Sequence, residues 1–548
     1  MQIELDVREL RPIMGLAEEL GLDAEELQPY GRYAAKIELT ALDRLAAAPD
    51  GRLVCVTSVT PTKAGEGKTT TAISLVDGLG RIGERPVLAL REPSLGPVFG
   101  IKGGGTGGGR AQLAPMELIN LHFTGDIHAI GAANNLLAAV VESHLLHGNE
   151  LGLDPHSVTW RRCLDMDDRA LRKIVVGLGG RVNGSPRETG FDITAASEVM
   201  AIVAVARDHA DLRARLGAIT VATTGEGERV TAEQLGCAGS MAALLTETLK
   251  PNLVQTLEGQ PALVHCGPFA NIAHGNNSLL ADRLGLKLAD FVVTEGGFGA
   301  EMGFEKFVDI VCRTGGMAPS GVVLVATVQA LKHHGGDPDG GVPALERGAA
   351  NLAANLAIVR EFGLEPVVAV NRHPNDTAAE VHALRRLAVE AGALAAPVND
   401  GYLTGGEGAV ELAEAVAAAT EHPQPVRYLY ANEDSLERKL EQIATRAYSA
   451  AGIELSPVAA RQAEELEAKS LGRLPVCVAK THLSLSHDPA LTNAPSGFTL
   501  PVRELRAYTG AGWVVALCGE MQTMPGLPAD PAASRIDVDA HGRILGLR

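Results

Sequence analysis

Residues 54–79 read VCVTSVTPTKAGEGKTTTAISLVDGL. Val54–Thr60 is a β-branched run of strand length, the segment after Lys68 has helical character, and Gly65, Gly67, Lys68, Thr69 and Thr70 fall at the turn between them. Glycines at such a turn let backbone N–H groups converge on phosphate oxygens. A lysine there offsets charge at the β- and γ-phosphates, and the hydroxyl after it can hold Mg²⁺. The strict eight-residue phosphate-loop pattern has Gly where this chain has Thr62, so the match rests on the strand before and the helix after. Thr62, Lys63, Ala64, Gly65, Glu66, Gly67, Lys68, Thr69 and Thr70 form the expected ATP cradle, with Lys68 as a catalytic residue. Thr69 and Thr70 are both candidate Mg²⁺ ligands, and spacing does not choose between them. The alternative is an ordinary glycine-containing turn.

Outward from this stretch, short apolar runs alternate with Ala/Leu-rich segments: PVLALRE, ALVHCG, DFVVTEG, VVLVATV, PVVAVNR and LPVCVAK, each followed by Gly, Pro or polar residues. Strands buried by helices on both faces read this way, which predicts an α/β fold with a P-loop NTPase-like, doubly wound, mainly parallel sheet. Ligands collect beyond the carboxyl ends of such strands. The unusual residues cluster there, at 60–70, 91–109, 295–303 and 371–376. The length of 548 residues predicts more than one domain. The expected division is a large N-terminal nucleotide-binding domain (1–365), a small α/β domain (366–425) and a C-terminal α/β domain (426–548), with the Pro-punctuated 422–425 as a linker.

The chain carries 48 Lys plus Arg against 66 Asp plus Glu, a net charge of −18 that would repel a nucleic-acid backbone over most of the surface. Its seven cysteines have no metal-like spacing and are expected to be buried free thiols. The charged N-terminus, MQIELDVREL, lacks the apolar run of a signal peptide, and no run approaches the ~18 apolar residues of a membrane span. These features predict a cytoplasmic protein without nucleic-acid or membrane partners.

The second strand leads into LREPSLGPVFGIKGGGTGGGR, with seven glycines between Gly100 and Gly109, a composition that excludes helix and strand. Its expected form is a loop shaped around a ligand; a flexible linker is the alternative. Arg91 at the strand end can fork onto a carboxylate or acyl phosphate. Glu295, Glu301 and Glu305 in EGGFGAEMGFEKF suit either cation binding or a strand-end turn before a helix. His333 and His334 precede Gly335 and fit a helix terminus better than a metal pair.

The segments TPTKAGEGKTTT, LREPSLGPVFGIKGG, HFTGDIHAI, KPNLVQTLEG, GPFANIAHG, VVTEGGFGAEMGFEKF and MPGLP, collinear from about Lys36 onward, resemble formate–tetrahydrofolate ligases. The resemblance implies a homotetramer that joins formate to tetrahydrofolate with ATP hydrolysis, through formyl phosphate, using Mg²⁺ and assisted by a monovalent cation. It carries Lys68 and the Gly65/Gly67 loop to the ATP phosphates, catalytic Arg91 to formyl phosphate and catalytic Asp126 to the folate side. Glu92, Arg110, His373 and Tyr402 join the expected cofactor-binding positions. Relatives place a Phe and a Trp against the pterin where this chain has His373 in VNRHPND and the YLTGGEG segment with Tyr402 and Thr404. Arg110 and Gln329 also depart from the family pattern. Changed acceptor residues beside a retained ATP half leave, as an alternative, a paralogue that formylates another amine. A P-loop switch ATPase is the rival of another class.

Overall fold

The computed structural model describes residues 10–63, 65–519 and 521–547. Ala64 of the expected cradle and nearly all of the N-terminal stretch lie outside them.

The strand and helix at residues 54–79 form as the sequence implies: β1 is Arg52–Ser58 and α1 is Lys68–Arg81. The chain continues through β2 (Pro86–Leu90), α2 (Asp126–Leu146), the hairpin β3 (Asn252–Thr256) and β4 (Pro261–Val264), then β5 (Phe291–Glu295), β6 (Gly321–Ala326), α3 (Val342–Glu361), β7 (Val367–Asn371), β8 (Val398–Asn399) and α4 (Val410–Ala419). Spatially the central strands run β3-β4-β2-β5-β1-β6-β7-β8. In this order each strand from β4 onward is parallel to the next, and β3 is antiparallel to β4.

Period-2 alternation explains why these strands are apolar throughout. Val54, Val56, Leu88, Leu90, Val293, Val323 and Val325 pack with α1 and α4 on one face. Leu53, Cys55, Val292, Val322 and Leu324 pack with Phe304, Phe307 and α3 on the other. Both faces are covered, so no polar alternation survives.

Two expectations change. Segment 366–425 is not a separate sheet: β7 and β8 extend the large one, in register Val323↔Val367 and Val370↔Val398. The reason is local, since PVVAVN is buried on both sides like the strands before it. Second, α2 is long and apolar enough, by length and composition, to cross a membrane. Here Ile127, Ile130, Ala133, Leu137 and Val141 pack into a core with residues 193–249. The C-terminal region has its own three-stranded sheet, β9 (Val476–Ala479), β10 (Glu504–Tyr508) and β11 (Trp513–Leu517), ordered β9-β11-β10. Cys477, Ala479 and Trp513 of that sheet join the same core as α2. All seven cysteines are buried and unpaired by disulfides. His334 ends a short helix before Gly335 and turns inward, its Nε2 2.8 Å from the Thr60 carbonyl oxygen.

Candidate active site at the carboxyl edge of the sheet

The chain leaves β1 toward β2 on one side of the sheet order and leaves β5 toward β6 on the other. The crevice between β1 and β5 is therefore the switch point where α/β sheets hold ligands. Glu295, the last residue of β5, is in register with Val56, and β1 runs on to Ser58.

The loop between β1 and α1 sits in that crevice. Gly65 (φ +80°) and Gly67 (φ +73°) take the left-handed conformation, and a Cβ on Gly67 would strike the Asn371 amide. Asn371 Nδ2 donates to the Glu66 carbonyl at 3.1 Å, tying the end of β7 to the loop. The buried Glu66 carboxylate braces it from within, accepting from Thr62 N at 2.8 Å and Thr327 Oγ1 at 2.5 Å. Glu66 thus shapes the loop from inside, while Lys63 is exposed beside it.

Lys68 Nζ donates to Ser58 Oγ at 3.2 Å, and Ser58 Oγ donates to the Phe298 carbonyl at 3.1 Å. Burial holds the Lys68 ammonium below its ordinary pKa; Glu295 and Glu66 counter this, and Arg91 adds to it. Arg91, at the end of β2, donates Nη1 to the Pro268 carbonyl at 3.2 Å, and burial lowers its pKa too, with Glu295 opposing. Lys102, in the glycine tract, has an exposed side chain. Glu295 opposes the lowering of both cations, Lys68 and Arg91. Thr69 Oγ1 donates to Glu295 Oε2 at 2.8 Å, whereas Thr70 faces Gly108.

The C-terminal sheet adds a wall that sequence reasoning missed. His482 stacks on Phe298 with ring centroids 4.3 Å apart and planes 18° apart. Burial, with Lys480, Lys68 and Lys102, pushes its pKa down to about 4, so its ring is neutral. Lys480 lies 3.6 Å from the buried Glu301 and is lowered to about 8, first by desolvation. The polar residues directly after β9 were the available signal. Phe298 stands at φ +66° between Gly297 and Gly299, and a Cβ on Gly297 would crowd Ala270 and the Gly275 carbonyl.

The glycine tract is close-packed. Side chains at Gly105 and Gly107 would meet Pro93, the Ala111 carbonyl and Ile73, and Asn120 bridges Gly105 N and Thr106 Oγ1 at 2.7 and 3.0 Å. This excludes the flexible-linker alternative. Its far end meets the Tyr402 segment: Arg110 N donates to the Tyr402 carbonyl at 2.9 Å, and the Tyr402 ring lies beside Gly108. His373 is exposed one turn beyond Asn371, its amide donating to Asp376 at 2.8 Å. Arg372 Nη1 pairs with Asp400 Oδ2 at 3.0 Å, so the His373 and Tyr402 segments are held side by side. The side chains of Arg110, Tyr402 and Thr404 are exposed around them, and Gln329 is exposed on its own helix.

Asp126 and Glu92 stand elsewhere. The Asp126 carboxylate, at the start of α2, accepts from Lys36 Nζ at 2.8 and 2.9 Å, Asn252 Nδ2 at 2.8 Å and Thr124 Oγ1 at 3.2 Å. Both members of the Lys36–Asp126 pair are buried. Glu92 is buried nearby, its pKa raised well above the usual range by desolvation and by Asp126, and its Oε2 has no hydrogen-bond partner. Among the described residues no group of three or more His, Cys, Asp or Glu is arranged to hold a metal by itself.

The sequence model of the family described as formate–tetrahydrofolate ligase matches residues 2–548. A formate–tetrahydrofolate ligase of Roseiflexus sp. (strain RS-1) is 53% identical over 563 residues, covering 100% of both chains. Its counterpart in Saccharopolyspora erythraea is 53% identical, covering 98% of this chain and 97% of its own. That of Symbiobacterium thermophilum is 54% identical, covering 98% of each. With likeness of this extent along essentially every residue, the chain belongs to the formate–tetrahydrofolate ligase family.

Proposed function

We propose that this chain joins formate to tetrahydrofolate, converting ATP to ADP and phosphate and giving 10-formyltetrahydrofolate through formyl phosphate. The observation that carries the reading is the placement of Lys68, Arg91 and the Thr69–Glu295 pair around the ends of neighbouring parallel strands, with Lys68 held to Ser58 and Arg91 to the Pro268 carbonyl. A carboxylate activated by phosphorylation needs such a surplus of positive charge at its reacting oxygens, supplied by groups already in position.

Formate is a poor acyl donor because its negative charge is delocalised. In the proposed sequence a formate oxygen attacks the γ-phosphorus of ATP, and ADP departs with the bridging electron pair. Lys68 and the loop amides hold the β- and γ-phosphate oxygens, and Arg91 holds formate and then the mixed anhydride. The neutral N10 amine of the folate attacks the formyl carbon, the C–O bond to phosphate breaks, and the amine proton passes to solvent or to the departing phosphate. The anhydride is prone to hydrolysis, so the packed glycine tract and the Phe298–His482 stack serve as walls against water.

Mg²⁺ fits the Thr69–Glu295 pair, a hydroxyl beside a carboxylate, with Thr69 directly after Lys68 in the chain. When bound it would neutralise phosphate charge. His373 and Tyr402, held beside the loop, would take the pterin with smaller or more polar ring faces than Phe and Trp. Asp126, apart from these segments, is assigned a supporting role through its hold on Lys36 and on Asn252 at the start of β3, with Glu92 beside it.

The test is ADP formation with formate and tetrahydrofolate supplied singly and together. Sustained turnover is expected only with both. ADP release independent of formate would favour a switch ATPase, and turnover with formate and an amine in place of tetrahydrofolate would favour a different acceptor.

A further inference from the structure

The turn between β3 and β4, residues 257–260, carries Glu258. Its carboxylate is used twice. Oε1 accepts from Gly406 N at 2.8 Å, in the segment that bears Tyr402, and Oε2 accepts from Nε of Arg81, the last residue of α1, at 2.9 Å. The same turn donates Leu257 N to the Gln112 carbonyl at 3.0 Å, on the strand that returns from the glycine tract. The tract in turn donates Arg110 N to the Tyr402 carbonyl. Hairpin turn, glycine tract and 402–408 segment therefore close into a ring, and Glu258 is the side chain that completes it.

Steric fit supports the same assignment. Gly405 has φ +67°, and a side chain there would run into the Glu258 carboxylate; one at Gly406 would meet both Glu258 and the Asp77 backbone of α1, each 2.8 Å away. The root of the turn is pinned to α1 as well, since Thr256 Oγ1 donates to Asp77 Oδ1 at 2.5 Å. The Arg81 pair is half open to water and contributes little by itself. Its effect is directional: it aims the other carboxylate oxygen at Gly406. Tyr402 consequently presents an exposed ring, 39% accessible, on a backbone that is fixed at both ends.

We propose that Glu258 is a positioning residue for the amine acceptor: by holding Gly406 against the end of α1, it fixes the Tyr402 segment at the distance from the phosphate loop at which the acceptor nitrogen meets the acyl carbon. The assignment rests on the reading of Tyr402 as an acceptor contact.

Full-length Glu258→Ala, Glu258→Gln, Arg81→Met and Tyr402→Ala test it, through KM for each substrate, kcat, and hydrogen–deuterium exchange of peptides covering residues 401–409. Glu258→Ala is expected to raise KM for tetrahydrofolate about tenfold, leave KM for ATP and formate within about twofold, and speed exchange in that segment. Glu258→Gln keeps an oxygen for Gly406 N and is expected to restore most of the loss. If Glu258→Ala does not fold, Arg81→Met is expected to give a smaller rise confined to tetrahydrofolate, with faster exchange; unchanged exchange and KM overturn the proposal. A rise in tetrahydrofolate KM with Tyr402→Ala but not with Glu258→Ala overturns the positioning role alone. Equal increases for all substrates in Glu258→Ala overturn it too, by indicating a general structural part. An unaffected Tyr402→Ala enzyme overturns the acceptor reading and the positioning role with it.

Discussion

Lys68 Nζ rests on Ser58 Oγ, 3.2 Å away, and is proposed to meet the phosphates of ATP. Lys68→Ala is expected to lose two or more powers of ten in turnover, roughly 3 kcal/mol or more; a near-normal kcat would remove it from the ATP site. Thr69 and Thr70 are separated by the Glu295 contact that Thr69 alone makes. Thr69→Val is accordingly expected to raise the Mg²⁺ concentration for half-maximal rate, and Thr70→Val to leave it in place; the reverse order in a Mg²⁺ titration would exchange their roles. Asp126→Ala strands the buried Lys36 ammonium, and a loss of about 3–5 kcal/mol in denaturant unfolding is expected. At this scale the sequence was legible for local conformation, as with the left-handed Gly65 and Gly67 just before α1 begins at Lys68. It was silent on Lys480 and His482, because their part depends on a sheet folded from another end of the chain.

The glycine tract and the 402–408 segment behave as one element although almost three hundred positions separate them in the chain. Gly109 (φ +63°) approaches so closely that a Cβ would overlap the Tyr402 carbonyl oxygen. Gly109→Ala should therefore displace that segment and raise KM for tetrahydrofolate more than KM for ATP; equal effects in steady-state assays would show the two halves of the site to be less separable. Strand and helix identities were readable from alternation and length, since each apolar run is buried on both faces. The partition of the chain was less so: PVVAVN reads the same whether it begins a new sheet or extends an old one, and only pairing with β6 decides.

Across the whole molecule, several acids and imidazoles are buried in their neutral forms. Desolvation raises Asp77 to about 8. Its unfolded value is near 4, so the folded state keeps a proton that the unfolded state releases, and the contribution of Asp77 to stability declines as pH rises from about 4 to about 8. Asp77→Asn mimics the protonated side chain; its melting temperature is expected to gain on the parent from pH 5.5 to 8.5, and a constant difference would contradict a buried neutral Asp77. His265 and His274, pushed down to about 4 and about 3, act with the opposite sense, withdrawing stability as pH falls below about 6.5.

The contact from Ser58 to the Phe298 carbonyl joins residues 240 positions apart, and the Phe298 ring then leans on His482. On the ribosome, the strand and helix that present the lysine emerge early, yet their floor arrives only midway through translation and their last wall near its close. A nascent or prematurely terminated polypeptide thus carries the loop and its lysine without the wall that stands against them in the finished fold.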